Sequence, residues 1–227
     1  MKLLVTGPRG FIASHLLRKL SSDPDFQVIP LGREVPQKEL LAFFERHRPE
    51  AVVHLATRFL KEHEFSDVSE LIQSNLEFTT QILECSSKYQ VRHFIAFGSY
   101  YQFPVPASLY AATKAAQSPI LDFYSHQKKL RTTELYIYDS YGPQDPRTKI
   151  LNLLVRVAKT GEPLPLSPGY QKIKLTHASD IVDAILAALK QPVVSGSSAV
   201  GIRKSRNWTR ILGSGLPSPE QGITSIP

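Results

Sequence analysis

Lys2-Leu3-Leu4-Val5-Thr6-Gly7-Pro8-Arg9-Gly10-Phe11-Ile12-Ala13 opens the chain with a buried-strand run, a glycine turn and the start of a helix. The glycines permit a tight turn, and the helix N-terminus aims its free N–H groups and positive dipole end at whatever lies above the turn, which suits a pyrophosphate. Ala13 is small enough to let helix and strand pack closely. The order strand, glycine loop, helix predicts an α/β dinucleotide-binding fold, with Gly7, Arg9, Gly10, Phe11 and Ile12 as candidate cofactor contacts.

Beyond this loop, short apolar runs alternate with amphipathic stretches, the pattern of βαβ units around a parallel sheet. Strands are expected at residues 3–5, 26–31, 51–55, 92–97 and 135–138, and a short one at 170–175. Helices are expected at 11–20, 38–47 and 69–89, within 106–127, and at 178–189. The fold class read from this is a Rossmann-like, doubly wound parallel sheet with a small, incomplete C-terminal substrate lobe. Residues 1–194 form the dinucleotide-binding domain, with a substrate-contacting segment near 142–178. Residues 195–227 are rich in Ser, Gly and Pro and show no helical or strand period, so a disordered tail or a disrupted reading frame is expected there.

Composition narrows the classes. A chain of 227 residues, 42% of them hydrophobic, can bury one sizeable core, and no apolar run is long enough to span a bilayer. The start lacks the charged-then-apolar layout of a secretory signal, and the lone Cys85 permits no intramolecular disulfide. A cytoplasmic location with no membrane partner is expected. The net charge of +7 comes from scattered basic residues without a basic, aromatic-interleaved helix, so no nucleic-acid partner is expected. Four of the basic residues, Arg203, Lys204, Arg206 and Arg210, fall in the last stretch. The seven histidines show no metal-ligand spacing; no metal site is expected, and His54 reads as a structural histidine at a strand end.

The second expected strand ends Leu31-Gly32-Arg33. A site for NAD usually carries a carboxylate there for the ribose hydroxyls, whereas an arginine pairs with a 2′-phosphate. Arg33, with Arg9 as a second cation, favours NADP(H); Glu34, one residue on, leaves NAD(H) open.

Reducing chemistry is suggested by Ser99 at the end of the fourth strand and by Tyr110 and Lys114 at i,i+4 on the following helix. Ketone reduction needs a proton donor for the alkoxide formed. A lysine ammonium near the phenol favours its ionised form, and moving a tyrosine from its usual value of about 10 toward neutrality would take roughly 4 kcal/mol of interaction. The serine hydroxyl can hold the carbonyl oxygen.

The segments TGPRGFIASHL, AVVHLAT, SNLEFTTQILECSSK, FIAFGS, YAATK, DSYGPQDPR and THASDIVDAI, in this order, resemble the extended short-chain dehydrogenases of the NAD-dependent epimerase/dehydratase family, which act on nucleotide sugars. The resemblance covers residues 1 to about 190. It implies that Leu55, Ala56 and Lys114 contact the cofactor and that Asn75 supports the site. It further implies that Tyr141-Gly142-Pro143 closes over the nicotinamide, and that Ser99, Tyr100, Asp139, Arg147 and Lys172 face the sugar nucleotide. The dehydratases of the family carry an acidic pair after the catalytic hydroxyl; here Tyr100-Tyr101-Gln102 follows Ser99, which speaks against dehydration. The short link from Ser99 to Tyr110 is most like the branch holding CDP-paratose and CDP-abequose synthases. The expected activity is NADPH-dependent 4-keto reduction of a CDP-linked 3,6-dideoxyhexose or 6-deoxyhexose for O-antigen synthesis. The alternatives are an NAD-dependent nucleotide-sugar 4-epimerase and a truncated, impaired dinucleotide-binding protein, since the family continues for several dozen more residues. Its members often form homodimers through the helices at 69–89 and 106–127, and packing of both on the sheet is the other reading.

Overall fold

A computed structural model of the chain describes residues 1–166, 168–170 and 173–190, together with the backbone of 198–201. Six parallel strands run in the order β2 (Gln27–Leu31), β1 (Lys2–Thr6), β3 (Ala51–His54), β4 (His93–Ser99), β5 (Thr132–Ile137) and β8 (Ser198–Gly201). The central strands are apolar in both phases, as a sheet covered on two faces requires. Leu3, Val5, Ala51, Val53, Ile95 and Phe97 point to one face, where α1 (Phe11–Leu20) and α7 (Ala178–Lys190) pack. Leu4, Val52, Phe94 and Ala96 point to the other, against α2 (Leu40–His47), α4 (Phe78–Lys88) and α5 (Leu109–Gln127). This is the doubly wound architecture. The direction of winding reverses between β1 and β3, and such switch points open a crevice at the carboxyl ends of the strands.

Four elements depart from the sequence expectation. The long helix expected over 69–89 is broken into α3 (Val68–Ile72), a π turn (Gln73–Glu77) and α4. Helix α6 (Ile150–Thr160) was not anticipated; its N-cap Lys149 makes no side-chain capping bond, and none of its residues is buried. The short strand expected at 170–175 lies instead at β7 (Leu175–His177), paired with an equally short β6 (Asp139–Tyr141). Finally, β8 continues the sheet beyond residue 194, pairing Ser198 with Thr133 and Gly201 with Tyr136. Four residues of Ser-Ala-Val-Gly are too short and too poor in bulky side chains to show a strand period, so β5 recruits them by ladder bonds. The rest of the expected tail, residues 195–197 and 202–227, lies outside the described residues. Among the described residues no helix is long and apolar enough to cross a membrane.

Candidate active site

The crevice at the β1/β3 switch is a cleft of about 480 Å³, lined by Gly7, Gly10, Arg9, Arg33, Ala56 and Glu70 among others. Gly7 adopts φ +63°, and a Cβ there would sit 2.9 Å from the Ala56 backbone, so only glycine lets the loop pass this close to β3. Its N–H donates to Leu31 O at 3.1 Å, tying the loop to β2. Gly10 caps α1 with extended backbone and no side-chain bond, and the first turn carries no acidic residue, which leaves its N–H groups for an anion. The cleft therefore fits the pyrophosphate and ribose of a dinucleotide. Leu55 is half-buried against the core beside Ala56, and Ile12 likewise packs inward from α1. Phe11 lies under the Arg147 guanidinium at 4.5 Å, so its ring braces that side chain.

Both arginines proposed for a 2′-phosphate line this cleft, and each already faces a carboxylate. Arg9 is 3.9 Å from Glu34 and Arg33 is 3.8 Å from Glu70, with Arg58 on the other Glu70 oxygen at 3.3 Å. The Arg9 and Arg33 pairs are long and exposed and of little strength. Glu34 also folds back to accept from Gly32 N–H at 3.1 Å, which puts a carboxylate at the end of β2 as well as the two cations.

Behind the cleft, a buried line of hydrogen bonds joins the glycine loop to α5. Ala56 N–H donates to Thr6 Oγ1 at 3.0 Å, and Thr6 Oγ1 and His54 Nδ1 are 2.9 Å apart. His54 Nε2 and Thr79 Oγ1 are also 2.9 Å apart, and Thr79 donates onward to Asn75 O at 2.9 Å. Because the Thr79 proton is spent on Asn75, His54 must carry its proton on Nε2 and accept from Thr6 on Nδ1. Burial, with Lys114 nearby, lowers His54 to a pKa of about 3, so it is neutral. Asn75, held in the π turn, accepts from Thr57 Oγ1 and Arg58 N–H and donates to Arg58 O and to Thr113 Oγ1 at 3.0 Å. Thr113 closes the line by donating to Tyr110 O at 2.7 Å. A supporting place for Asn75 was expected; Thr6, Thr79 and Thr113 carried no sequence signal.

Ser99 ends β4, and Ser108 caps α5 by accepting from Ala111 N–H at 3.2 Å, which sets the first turn carrying Tyr110. Ser99 is buried, and its Oγ accepts from Tyr101 N–H at 3.3 Å, leaving the hydroxyl proton free to donate. The Tyr110 ring stands edge-on to Phe59 at 4.9 Å. Burial raises its pKa to about 12, opposed by the charge of Arg147. Lys114 is fully buried and its pKa is lowered by burial to about 8, with Glu134 pulling it back up. The expected sign of the pairing is not met: Tyr110 is held protonated, not ionised, and the cation acting on it is Arg147. Lys114 Nζ turns instead to Gln117 Oε1 at 3.4 Å.

The region expected to face the sugar nucleotide is built from aromatic rings and ion pairs. Tyr100 stacks on Tyr138 at 4.5 Å, with Lys174 Nζ 5.2 Å and 5.0 Å from the two rings. Asp139 accepts from Tyr101 Oη at 2.5 Å and from Lys149 Nζ at 3.2 Å. Arg147 makes two 2.6 Å bonds to Asp145 and a 3.1 Å bond to Ser140 Oγ. Asp139 and Lys149 border a small hollow of about 110 Å³. Tyr101, Tyr138, Lys149 and Lys174 were missed, because their meeting depends on β6 and β7. Lys172 lies outside the described residues. Among the described residues no group of three or more His, Cys, Asp or Glu is placed to hold a metal ion.

The chain is 29% identical to CDP-abequose synthase from Yersinia pseudotuberculosis over 207 residues, covering 82% of this chain and 72% of that one. It is 28% identical to protein CapI of Staphylococcus aureus, covering 85% and 70%. Among solved structures it is similar to UDP-glucuronic acid 4-epimerase from Bacillus cereus, with a TM-score of 0.79 at 20% identity, covering 89% and 77%. UDP-glucose 4-epimerase from Thermotoga maritima gives 0.77 at 24%, covering 88% and 76%; at these identities the likeness shows the fold. The profile of the NAD dependent epimerase/dehydratase family matches residues 3–200. With its glycine loop at the sheet's switch point and most of its length matched, the chain belongs to the NAD dependent epimerase/dehydratase family and is an enzyme of the short-chain dehydrogenase type.

Proposed function

We propose that this enzyme reduces the 4-keto group of a CDP-linked 3,6-dideoxyhexose or 6-deoxyhexose with NADPH, in the making of a surface-polysaccharide sugar. The observation that carries the reading is the placement of Ser99, buried at the end of β4 with its hydroxyl proton uncommitted, beside helix α5, whose first turn carries Tyr110 as a neutral phenol able to give a proton. Relatives named CDP-abequose synthase, from Yersinia pseudotuberculosis and Salmonella muenchen, support the substrate class. In this reading a bound nicotinamide cofactor supplies hydride to the carbonyl carbon. Ser99 hydrogen-bonds the carbonyl oxygen through its hydroxyl, keeping its own proton, and holds that oxygen in place. Tyr110 then gives its proton to the same oxygen as charge develops there. The Lys114 ammonium, which rests on Gln117 here, would have to turn from that amide to steady the ribose and the phenolate left behind. Tyr100, stacked on Tyr138, offers a flat face to the hexose. Arg9 and Arg33, held only by weak exposed pairs, are free to turn to a 2′-phosphate.

A second reading, an NAD-dependent 4-epimerase, is favoured by one observation: the Glu34 carboxylate folded over Gly32, where ribose hydroxyls would lie. Incubation with CDP-4-keto-3,6-dideoxyglucose and NADPH separates the two. Loss of reduced-nicotinamide absorbance with formation of the 4-hydroxy sugar is expected; an unchanged keto sugar and unoxidised NADPH, with interconversion of the two 4-hydroxy sugars in a parallel incubation with NAD, would overturn the reductase reading. Arg33→Asp is expected to weaken NADPH at least about tenfold while sparing NADH, since a charge-assisted bond is worth roughly 1.5–3 kcal/mol. Equal effects on both cofactors would remove Arg33 from the 2′-phosphate.

A further inference from the structure

A carboxylate is buried beneath the reducing site, and nothing in the proposed chemistry uses it. Glu134 lies in the middle of β5, 6% exposed, in an otherwise uncharged Thr-Thr-Glu-Leu-Tyr-Ile run. Taking a carboxylate this far from water costs several kcal/mol unless a cation and hydrogen-bond donors answer it. The donors are two hydroxyls on Oε2, Ser118 Oγ at 2.8 Å and Tyr136 Oη at 2.9 Å. Gln117 Nε2 approaches Oε1 at 3.5 Å, and the same amide turns its oxygen toward Lys114 Nζ at 3.4 Å. Lys114, itself 3% exposed, is the buried cation on this side of the sheet. Gly98 on β4, opposite Tyr136, completes the space: a Cβ there would lie 2.6 Å from the Tyr136 ring and 2.9 Å from Glu134 Oε1. A side chain at position 98, one residue before Ser99, would thus displace the carboxylate.

We propose that Glu134 is a positioning residue: acting through Gln117, it is the counter-charge that keeps the buried Lys114 ammonium charged and oriented. The role assigned to Lys114 rests on the reductase reading above; the coupling of its charge to Glu134 through Gln117 does not. Burial lowers Lys114 to about 8, and the Glu134 charge raises it; burial likewise raises Glu134, and the Ser118 and Tyr136 hydroxyls with the Lys114 charge work against that rise to keep the carboxylate ionised. The other groups facing the pair are few. His54 on β3 is neutral, Tyr110 on the same helix is protonated, Tyr136 on β5 is held as a phenol by burial, and Asp122 on α5 acts on Glu134 from farther along the helix. Removing the anion should therefore lower the Lys114 pKa further, so that the ammonium is lost nearer neutral pH.

The test is a proton titration of the full chain labelled at lysine Cε and Nζ, with the Lys114 resonance assigned by its loss in Lys114→Met. Glu134→Gln keeps shape and hydrogen-bonding capacity, and its Lys114 midpoint is expected at least one pH unit below that of the native chain. Gln117→Met, which leaves the carboxylate in place but removes the linking amide, is expected to fall between the two, and it carries the test alone if Glu134→Gln does not fold. A native-like midpoint in either folded variant would overturn the proposal. The readout needs no sugar substrate, so a chain that reduces no CDP-4-keto sugar sinks the reductase reading while leaving this result to stand or fall separately.

Discussion

Tyr110 and Lys114 sit one helical turn apart, yet each is governed by burial more than by the other. Desolvation disfavours whichever form is charged, so the phenol rises to about 12 and the ammonium falls to about 8. The nearest influence on Tyr110 with the opposite sign is Arg147, which is fixed by two bonds to Asp145. A phenol of this kind stays protonated over the whole physiological range. Tyr110→Phe is accordingly expected to retain the fold and cofactor affinity while lowering turnover by on the order of 10²–10⁴, the usual worth of a positioned acid. A Phe variant within a few-fold of the native rate would mean that another group delivers the proton.

Among the elements, the π turn at Gln73–Glu77 is the hinge of the design. It brings Asn75 under the loop after β3 and against α5, where all four hydrogen-bonding positions of its amide are used. His54 is the middle of the line that reaches the glycine loop, and its charged form is excluded by burial. Its pKa is about 3 in the folded chain, against about 6.5 when unfolded. The unfolded chain therefore binds the extra proton first as pH falls. The stability due to a neutral His54 is complete above about pH 6.5 and declines by about 1.4 kcal/mol per pH unit below it, until His54 titrates near 3. His93, lowered to about 3 in the same way, adds a parallel slope. Urea unfolding of native and His54→Gln chains at several pH values between 7 and 5 should show the shallower decline in the variant. Identical slopes would mean that His54 does not titrate between the two states.

At the scale of the molecule, the sheet places the glycine loop, Ala56 and Ser99 at the carboxyl ends of β1, β3 and β4, with Arg33 and Asp139 just past the same ends of β2 and β5, while β8 covers the far side of β5. An uncovered edge strand offers a row of unpaired N–H and C=O groups to any other chain. A chain ending at Val194 lacks that covering strand. It is expected to unfold at lower urea and to scatter more light on concentration than the full chain. Equal midpoints and equal scattering would show that β8 does not protect β5. Glycine loop, cofactor cleft and Tyr-Lys turn lie away from this edge, so cofactor affinity should survive in whatever fraction stays folded.

Residues 1–20 already carried the dinucleotide fold, because a strand's two-residue period, a glycine turn and a helical period are local signals. Ser99 at a strand end and the Tyr110/Lys114 spacing were legible for the same reason: a strand end and one helical turn are short-range geometry. Only the tertiary structure revealed that Lys114 answers to Glu134, that His54 is wired between Thr6 and Thr79, and that Arg147 faces Tyr110. Those partners stand 20 to 48 positions apart and meet only because strand order and helix packing bring them together. Burial decided the rest. The charge state of a phenol or an ammonium depends on the water removed by every neighbouring element at once, and no short window of residues contains that sum.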